Sequence, residues 1–201
     1  MLMNISRYLK PDLFCPNLDA LDFPALFGDG YRLVLIDVDN TLARHGSFKA
    51  DEYARRAIRR ASEAGFSCRI ISNAGNKRIQ AYAATLEIPY IAWAKKPSIK
   101  AIVQACQSAN VEAAKAIMIG DQILTDIVSA HRAGCFAVLV HPRYHQEALH
   151  IRLKRFVERL VFWRYKLSSE RPRRYRSDQP DKSGQSVKKA VNSPKDGSLG
   201  S

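Results

Sequence analysis

No stretch of this sequence is apolar for long enough to cross a bilayer. Its opening residues, MLMNISRYLKPDLF, have neither the apolar core nor the small-residue cleavage site of a secretory signal. The expected location is therefore intracellular, in the cytoplasm or an organelle interior. Cysteine is scarce and scattered. Cys15, Cys68, Cys106 and Cys135 form no CxxC pair, so neither zinc nor dithiol chemistry is indicated, and they read as small buried thiols in a reducing compartment. Acids are also scarce: 19 Asp and Glu stand against 32 Lys and Arg, a net charge of +13. Residues 142–176 hold eleven Lys and Arg against three Asp and Glu, so much of the excess lies late in the chain. Aliphatic residues almost vanish after residue 168. That last stretch is rich in Ser, Arg, Lys, Pro and Gly, too poor in buryable surface to offset its ordering entropy, and is expected to be disordered.

What is present suits one globular domain: 201 residues, 46% hydrophobic and 25% charged. Residues 1–30, interrupted by Pro11, Pro16 and Pro24, read as an N-terminal extension with one or two short helices. Residues 31–36 form a near-continuous apolar run, the pattern of a strand buried on both faces. A helix is expected over 50–64, stopped by Gly65. A strand follows over 66–71, a helix over 77–86, a strand over 89–92 and a helix over 98–109 with Ser98 as N-cap. The pattern ends with a strand over 116–119, a helix over 125–133 and a strand over 136–140. Regular alternation predicts an α/β, doubly wound parallel sheet with helices on both faces, spanning residues 31–145. In such sheets the ligand sits beyond the carboxyl ends of the strands.

Polar residues collect at those ends. The first strand runs into Asp37-Val38-Asp39-Asn40-Thr41, two carboxylates at i and i+2. A carboxylate can be a nucleophile toward phosphorus, and a second one nearby can give and take a proton. An Asx-rich turn is the competing reading. An EF-hand fails, because its glycine would fall at Leu42. The second strand ends at Ser72-Asn73, donors for phosphate oxygens or an ordinary helix cap. Lys96, in Lys95-Lys96-Pro97, can neutralise phosphate charge and keep an aspartate ionised. Gly120-Asp121-Gln122-Ile123-Leu124-Thr125-Asp126 offers carboxylates to a hard divalent cation. Each signal alone is modest, but acids, hydroxyl, lysine and acids after successive strands are the layout of a metal-assisted phosphoryl-transfer site.

In that order the segments DVDNT, ISN, KKP and GDQILTD resemble the four motifs of the haloacid dehalogenase-like hydrolases, over roughly residues 31–140. RYLKPDL, ISNAGNKR, GDQILTD and the basic C-terminal part resemble more specifically the YqeG-type phosphatases of subclass IIIA, relatives of phosphatidylglycerophosphate phosphatases. The resemblance implies an aspartyl-phosphate on Asp37 and acid/base work by Asp39. It implies magnesium held by Asp37, Asp39 (through its carbonyl), Asp121 and Asp126, and phosphate held by Ser72, Asn73 and Lys96.

The intervals 39–72 and 73–96 leave no room for a sizeable cap, so an open site is expected, suited to a phosphate on something bulky or anchored. Residues 149–165 carry an apolar stripe at helical spacing (Leu149, Leu153, Phe156, Val157, Leu160, Val161), with Arg152, Lys154, Arg155 and Arg159 largely off it. A basic amphipathic helix over 146–167 is expected, and 149–176 is expected to touch an anionic membrane surface; packing of the stripe on the domain or on a partner subunit is the competing reading. The expected substrate is a membrane lipid phosphate, with phosphatidylglycerophosphate the best single candidate. A soluble or macromolecular phosphomonoester is the alternative, and a non-enzymatic RNA- or assembly-binding protein is the alternative of another class. Nucleic acid is the lesser partner, and oligomeric state is not legible.

Overall fold

The structure, a computed structural model, describes residues 6–144. The segments 146–167 and 168–201, expected as amphipathic helix and disordered tail, lie outside the described residues.

Six strands form one all-parallel sheet: β1 (Leu13–Cys15), β2 (Leu33–Ile36), β3 (Ser67–Ile71), β4 (Tyr90–Ile91), β5 (Ala116–Gly120) and β6 (Phe136–Val140). Their spatial order is β1-β6-β5-β2-β3-β4. The helices are α1 (Ser6–Leu9), α2 (Phe23–Gly28), α3 (Glu52–Glu63), α4 (Asn76–Ala84), α5 (Lys100–Ala109) and α6 (Val128–Ala133). The period-2 alternation of side chains along the strands divides the core in two. Val34, Ile36, Ile117, Ile119 and Ile70 pack with residues of α2, α3 and α4 on one face. Leu33, Leu35, Met118 and Ala137 pack with residues of α1, α5 and α6 on the other. The doubly wound fold with helices on both faces is the one read from the alternation, and no cap is inserted among the described residues.

The N-terminal segment is more than an extension. β1 adds a sixth strand at the β6 edge, and Leu18, Leu21, Phe23 and Leu26 are buried in the core. Three prolines in a short stretch masked a strand of only three residues. Helix boundaries also move slightly. Ser98 is not the N-cap of α5: that position falls to Ile99, which makes no side-chain cap bond, and Ser98 Oγ accepts from the Lys100 amide at 3.4 Å. The helix expected over 125–133 starts earlier, as a wide π-type turn over Ile123–Ile127 that continues into α6. Gly65 does terminate α3, in the left-handed region at φ +100°.

The sheet runs β2-β3-β4 to one side and β5-β6-β1 to the other, so chain direction switches between β2 and β5. A crevice opens at such a point beyond the strand carboxyl ends. Asp37 and Asp121 follow those two strands directly.

Candidate active site

Strand register brings the polar residues together. Ile36 pairs with Ile119 on β5 and with Ile70 on β3. Asp37 therefore stands level with Gly120 and Ile71, with Asp121 and Ser72 one step beyond on either side. The Asp37 amide still donates to Ile119 O at 2.9 Å, so the ladder fixes its backbone. The chain then turns tightly: the Asn40 amide donates to Ala43 O at 2.7 Å, with Asn40 in the left-handed region at φ 61°, which asparagine tolerates better than most residues. Arg143, beyond β6, clasps this turn. Its amide donates to Asn40 O at 2.8 Å, its guanidinium bonds Leu42 O, and it pairs with Asp51 at 2.9 Å.

Lys96 is the hub. Its side chain is almost wholly buried; its ammonium donates to Asp37 Oδ1 at 2.7 Å and to Ile71 O at 2.8 Å, and it forms an ion pair with Asp126 Oδ1 at 2.7 Å. Two of its three donors are used in these bonds, and Asp126 adds a second carboxylate beside the charge. Burial opposes the charge, but Asp126 and Asp37 outweigh it and hold Lys96 above its ordinary range. Asp37 feels the opposite balance. Burial pushes its carboxyl up, to about 7, with Lys96 pulling it down and Asp126 and Asp39 adding to the rise.

Asp37, Asp121 and Asp126 are all buried, and one carboxylate oxygen of each lies within 4.8 Å of the others. Ionised, the three carry three negative charges against the single charge of Lys96, an imbalance of two. Buried charge of one sign is costly unless compensated. Hard oxygen donors with that surplus fit a divalent cation. Asp126 reaches the cluster because Gly120 gives way: a Cβ on Gly120 would meet Asp126 Oδ2 at 2.3 Å. The Gln122 amide donates to the same oxygen at 3.1 Å.

Ser72 is buried, and its Oγ accepts from the Ala74 amide at 3.2 Å. Asn73 departs from the expectation that its side chain serves phosphate. Its Nδ2 donates to Lys96 O at 3.1 Å, and its Oδ1 accepts from the Lys96 amide at 2.7 Å. Both ends of the amide thus clamp the backbone that presents Lys96, across a cis Lys96–Pro97 bond.

Asp39 stands apart from the carboxylate cluster. Arg78, in the first turn of α4, grips it with two bonds, Nη2 to Oδ2 at 2.6 Å and Nη1 to Oδ1 at 3.0 Å. His45 Nδ1 lies 3.4 Å from Oδ1. Arg78 and Arg143 carry no sequence signal that marks them as site residues. In ISNAGNKR the arginine looks like helix surface, although its place on the first turn after the Ser72 loop aims it at the β2 carboxyl end.

A family model described as HAD-hydrolase-like matches residues 93–158, the stretch carrying Lys96, Asp121 and Asp126. The probable phosphatase YqeG of Bacillus subtilis is 28% identical over 157 residues, 78% of this chain and 91% of the relative. The chloroplastic phosphatidylglycerophosphate phosphatase 1 of Chlamydomonas reinhardtii is 29% identical over 142 residues, 66% of this chain but 52% of the relative. Among solved structures, the deoxy-D-mannose-octulosonate 8-phosphate phosphatase of Haemophilus influenzae is similar, with a TM-score of 0.46 at 14% identity, over 67% of this chain and 89% of the other. The buried acid cluster at the switch point of the parallel sheet, the partial family match and the Bacillus relative point the same way: the chain is similar to the HAD-like hydrolases, and it is an enzyme of the phosphatase kind.

Proposed function

We propose that the enzyme hydrolyses a phosphomonoester through an aspartyl-phosphate on Asp37, and that its substrate is a membrane lipid phosphate such as phosphatidylglycerophosphate. The observation that carries the chemistry is the buried Asp37–Lys96–Asp126 chain beside Asp121. In the first step a carboxylate oxygen of Asp37 attacks phosphorus, the bond to the leaving oxygen breaks, and Asp39 gives that oxygen a proton. In the second, Asp39 takes a proton from water, whose oxygen attacks the same phosphorus. The acyl phosphate opens, releasing inorganic phosphate and restoring Asp37. Lys96 lowers the cost of negative charge beside Asp37. The Ser72 hydroxyl uses its oxygen on Ala74 and keeps its hydrogen for a phosphate oxygen. Asn73 acts on the phosphate only through the placement of Lys96.

Asp37, Asp121 and Asp126 would hold magnesium, with the Asp39 carbonyl as a fourth donor. When bound, it would supply charge neutralisation at the transferring phosphoryl group. The lipid reading is supported by the open, capless site, by the basic sequence late in the chain, and by similarity to a relative named for phosphatidylglycerophosphate.

The test is phosphate release from phosphatidylglycerophosphate vesicles with magnesium, for the wild type and for Asp37→Asn. Release by the wild type and none by the variant is expected. Turnover of a soluble phosphomonoester with no release from vesicles would sink the lipid assignment and keep the chemistry.

A further inference from the structure

Among the described residues, the two most exposed large hydrophobic side chains are Trp93, 64% exposed, and Phe48, 52% exposed. Neither is scattered at random. Phe48 lies in the loop after β2 and Trp93 in the loop after β4, both at the carboxyl ends that carry the active site. Between them is the start of α4, which follows β3. Trp93 rests against it: its amide donates to Ala74 O at 3.0 Å, and its ring lies where a Cβ on Gly75 would meet it at 3.2 Å. The residue before Phe48 touches the same helix, since Arg78 Nη1 donates to Ser47 O at 3.4 Å. Both loops therefore meet the start of α4, at the same end of the sheet as Asp37.

Charge within the three loop segments has one sign. Segments 44–49, 73–77 and 93–95 contain Arg44, Lys49, Lys77 and Lys95, all exposed, and no Asp or Glu. Trp and Phe at loop tips, with lysine and arginine around them, match the boundary of an anionic bilayer, where aromatic rings settle at headgroup depth and cations meet lipid phosphate. A site ringed this way also meets its substrate in the right pose, because a lipid phosphate is presented at the depth of the headgroups.

We propose that the loops around Phe48, the α4 start and Trp93 form an interfacial docking face that seats the active-site mouth on an anionic lipid bilayer. The inference rests on the reading of the substrate as a membrane lipid phosphate and deepens it. It is separate from the 149–176 segment, because it uses the domain's own loops.

The full-length chain contains two tryptophans, Trp93 and Trp163. With Trp163→Phe, emission reports Trp93 alone. Phosphatidylglycerol vesicles should shift that emission to the blue and make it quenchable by lipids brominated near the headgroup, and phosphatidylcholine vesicles should do neither. In the natural background, Phe48→Ser with Trp93→Ala should weaken binding to phosphatidylglycerol vesicles about tenfold or more. Lys49→Gln and Lys95→Gln should each weaken it about fivefold. All four side chains are exposed, and a thermal melt checks that the variants fold. The ratio of vesicle turnover to soluble phosphomonoester turnover should fall in parallel.

Vesicle binding with unchanged Trp93 emission would overturn the docking face, as would Trp93 quenching by a single-stranded RNA oligonucleotide and not by vesicles. The two readings fail differently. Hydrolysis of lipid phosphate without a Trp93 response keeps the substrate and removes the face. A Trp93 response without hydrolysis of lipid phosphate keeps the face and removes the substrate.

Discussion

Arg78 holds both carboxylate oxygens of Asp39, at 2.6 and 3.0 Å, from a helix that begins after the neighbouring strand. A paired guanidinium and carboxylate define an orientation as well as a charge. If Asp39 exchanges the proton with the leaving oxygen, losing Arg78 should matter most where the leaving oxygen most needs that proton. Arg78→Ala is expected to lower kcat about tenfold to hundredfold on an alkyl phosphomonoester. The loss on p-nitrophenyl phosphate, whose leaving group departs without help, should be several-fold smaller. Arg78→Lys keeps the charge without the fork and should fall between. Equal losses on both substrates would remove Arg78 from proton transfer and leave it a structural role.

The Asn73 clamp gives a second prediction. Asn73→Ala removes two hydrogen bonds to the Lys96 backbone and should cost about 1–2 kcal/mol in a urea melt. Activity should fall further than stability implies, because the ammonium that touches both Asp37 and Asp126 is no longer fixed. Asn73→Asp keeps an acceptor for the Lys96 amide and loses the donor to Lys96 O, so it should recover part of the stability. If Asn73→Ala retains full kcat and raises only KM, the amide serves substrate rather than Lys96.

Gly120 tests the packing behind the carboxylates. A methyl group there would overlap Asp126, whose Oδ2, Cγ and Cβ would all lie within 2.6 Å of it. Overpacking of this kind costs about 1–3 kcal/mol. Gly120→Ala should therefore lower the melting temperature and push Asp126 off Lys96, with kcat down at least about tenfold. Wild-type kcat in this variant would mean that the Asp126–Lys96 contact is dispensable.

The carboxylate surplus predicts metal-linked stability. A ligand that binds the folded chain alone stabilises it by about 2.7 kcal/mol at a hundredfold excess over Kd. Magnesium should raise the melting temperature of the wild type in a concentration-dependent way. Asp121→Asn removes one of the charges that calls for the cation and should flatten that dependence while leaving the metal-free protein folded. An identical magnesium response in wild type and variant would place the cation elsewhere.

Much of the fold was legible because β2 and β5 are aliphatic runs, each followed directly by an aspartate. A chain reading LVLID or AIMIGD signals both a buried strand and its carboxyl end. Asp37, Ser72 and Asp121 stood out at strand ends, and register then made them neighbours, while Lys96 comes from the loop after β4. Less legible was everything set by tertiary contact. β1 is three residues long, and its strand character comes from pairing with β6 rather than from its own pattern. Asn73 looked like a ligand donor because its sequence neighbour is Ser72, and only the fold of the β4–α5 loop brings the Lys96 backbone to its amide. Arg78 lies 39 residues from Asp39, and no periodicity links the two. Exposed aromatics at two separate loop tips likewise carry no sequence pattern.

β1 is tied to the sheet by a titrating pair, and this gives a prediction with a definite sign. Asp12 Oδ2 accepts from the Ala137 amide at 2.8 Å and lies 3.1 Å from His131 Nε2, while His131 Nδ1 lies 3.1 Å from Tyr8 O. Both ring nitrogens face acceptors, so the form that satisfies all contacts is the imidazolium. The hydrogen bond to Asp12, opposed by burial and helped by Tyr8 O, raises His131 above its ordinary range. For Asp12, burial works upward, but the bonds from His131 and Ala137 bring its carboxyl below the ordinary range. A raised histidine contributes stability that is complete below its unfolded value and is lost as pH rises through the folded one. A lowered aspartate contributes stability that is complete above its unfolded value and is lost as pH falls through the folded one. The pair should therefore stabilise most between about pH 4 and pH 6.5. His131→Asn should cost more stability at about pH 5.5 than at about pH 8.5. Urea midpoints of wild type and variant at the two pH values measure this, and a pH-independent difference would show that His131 acts here by packing alone.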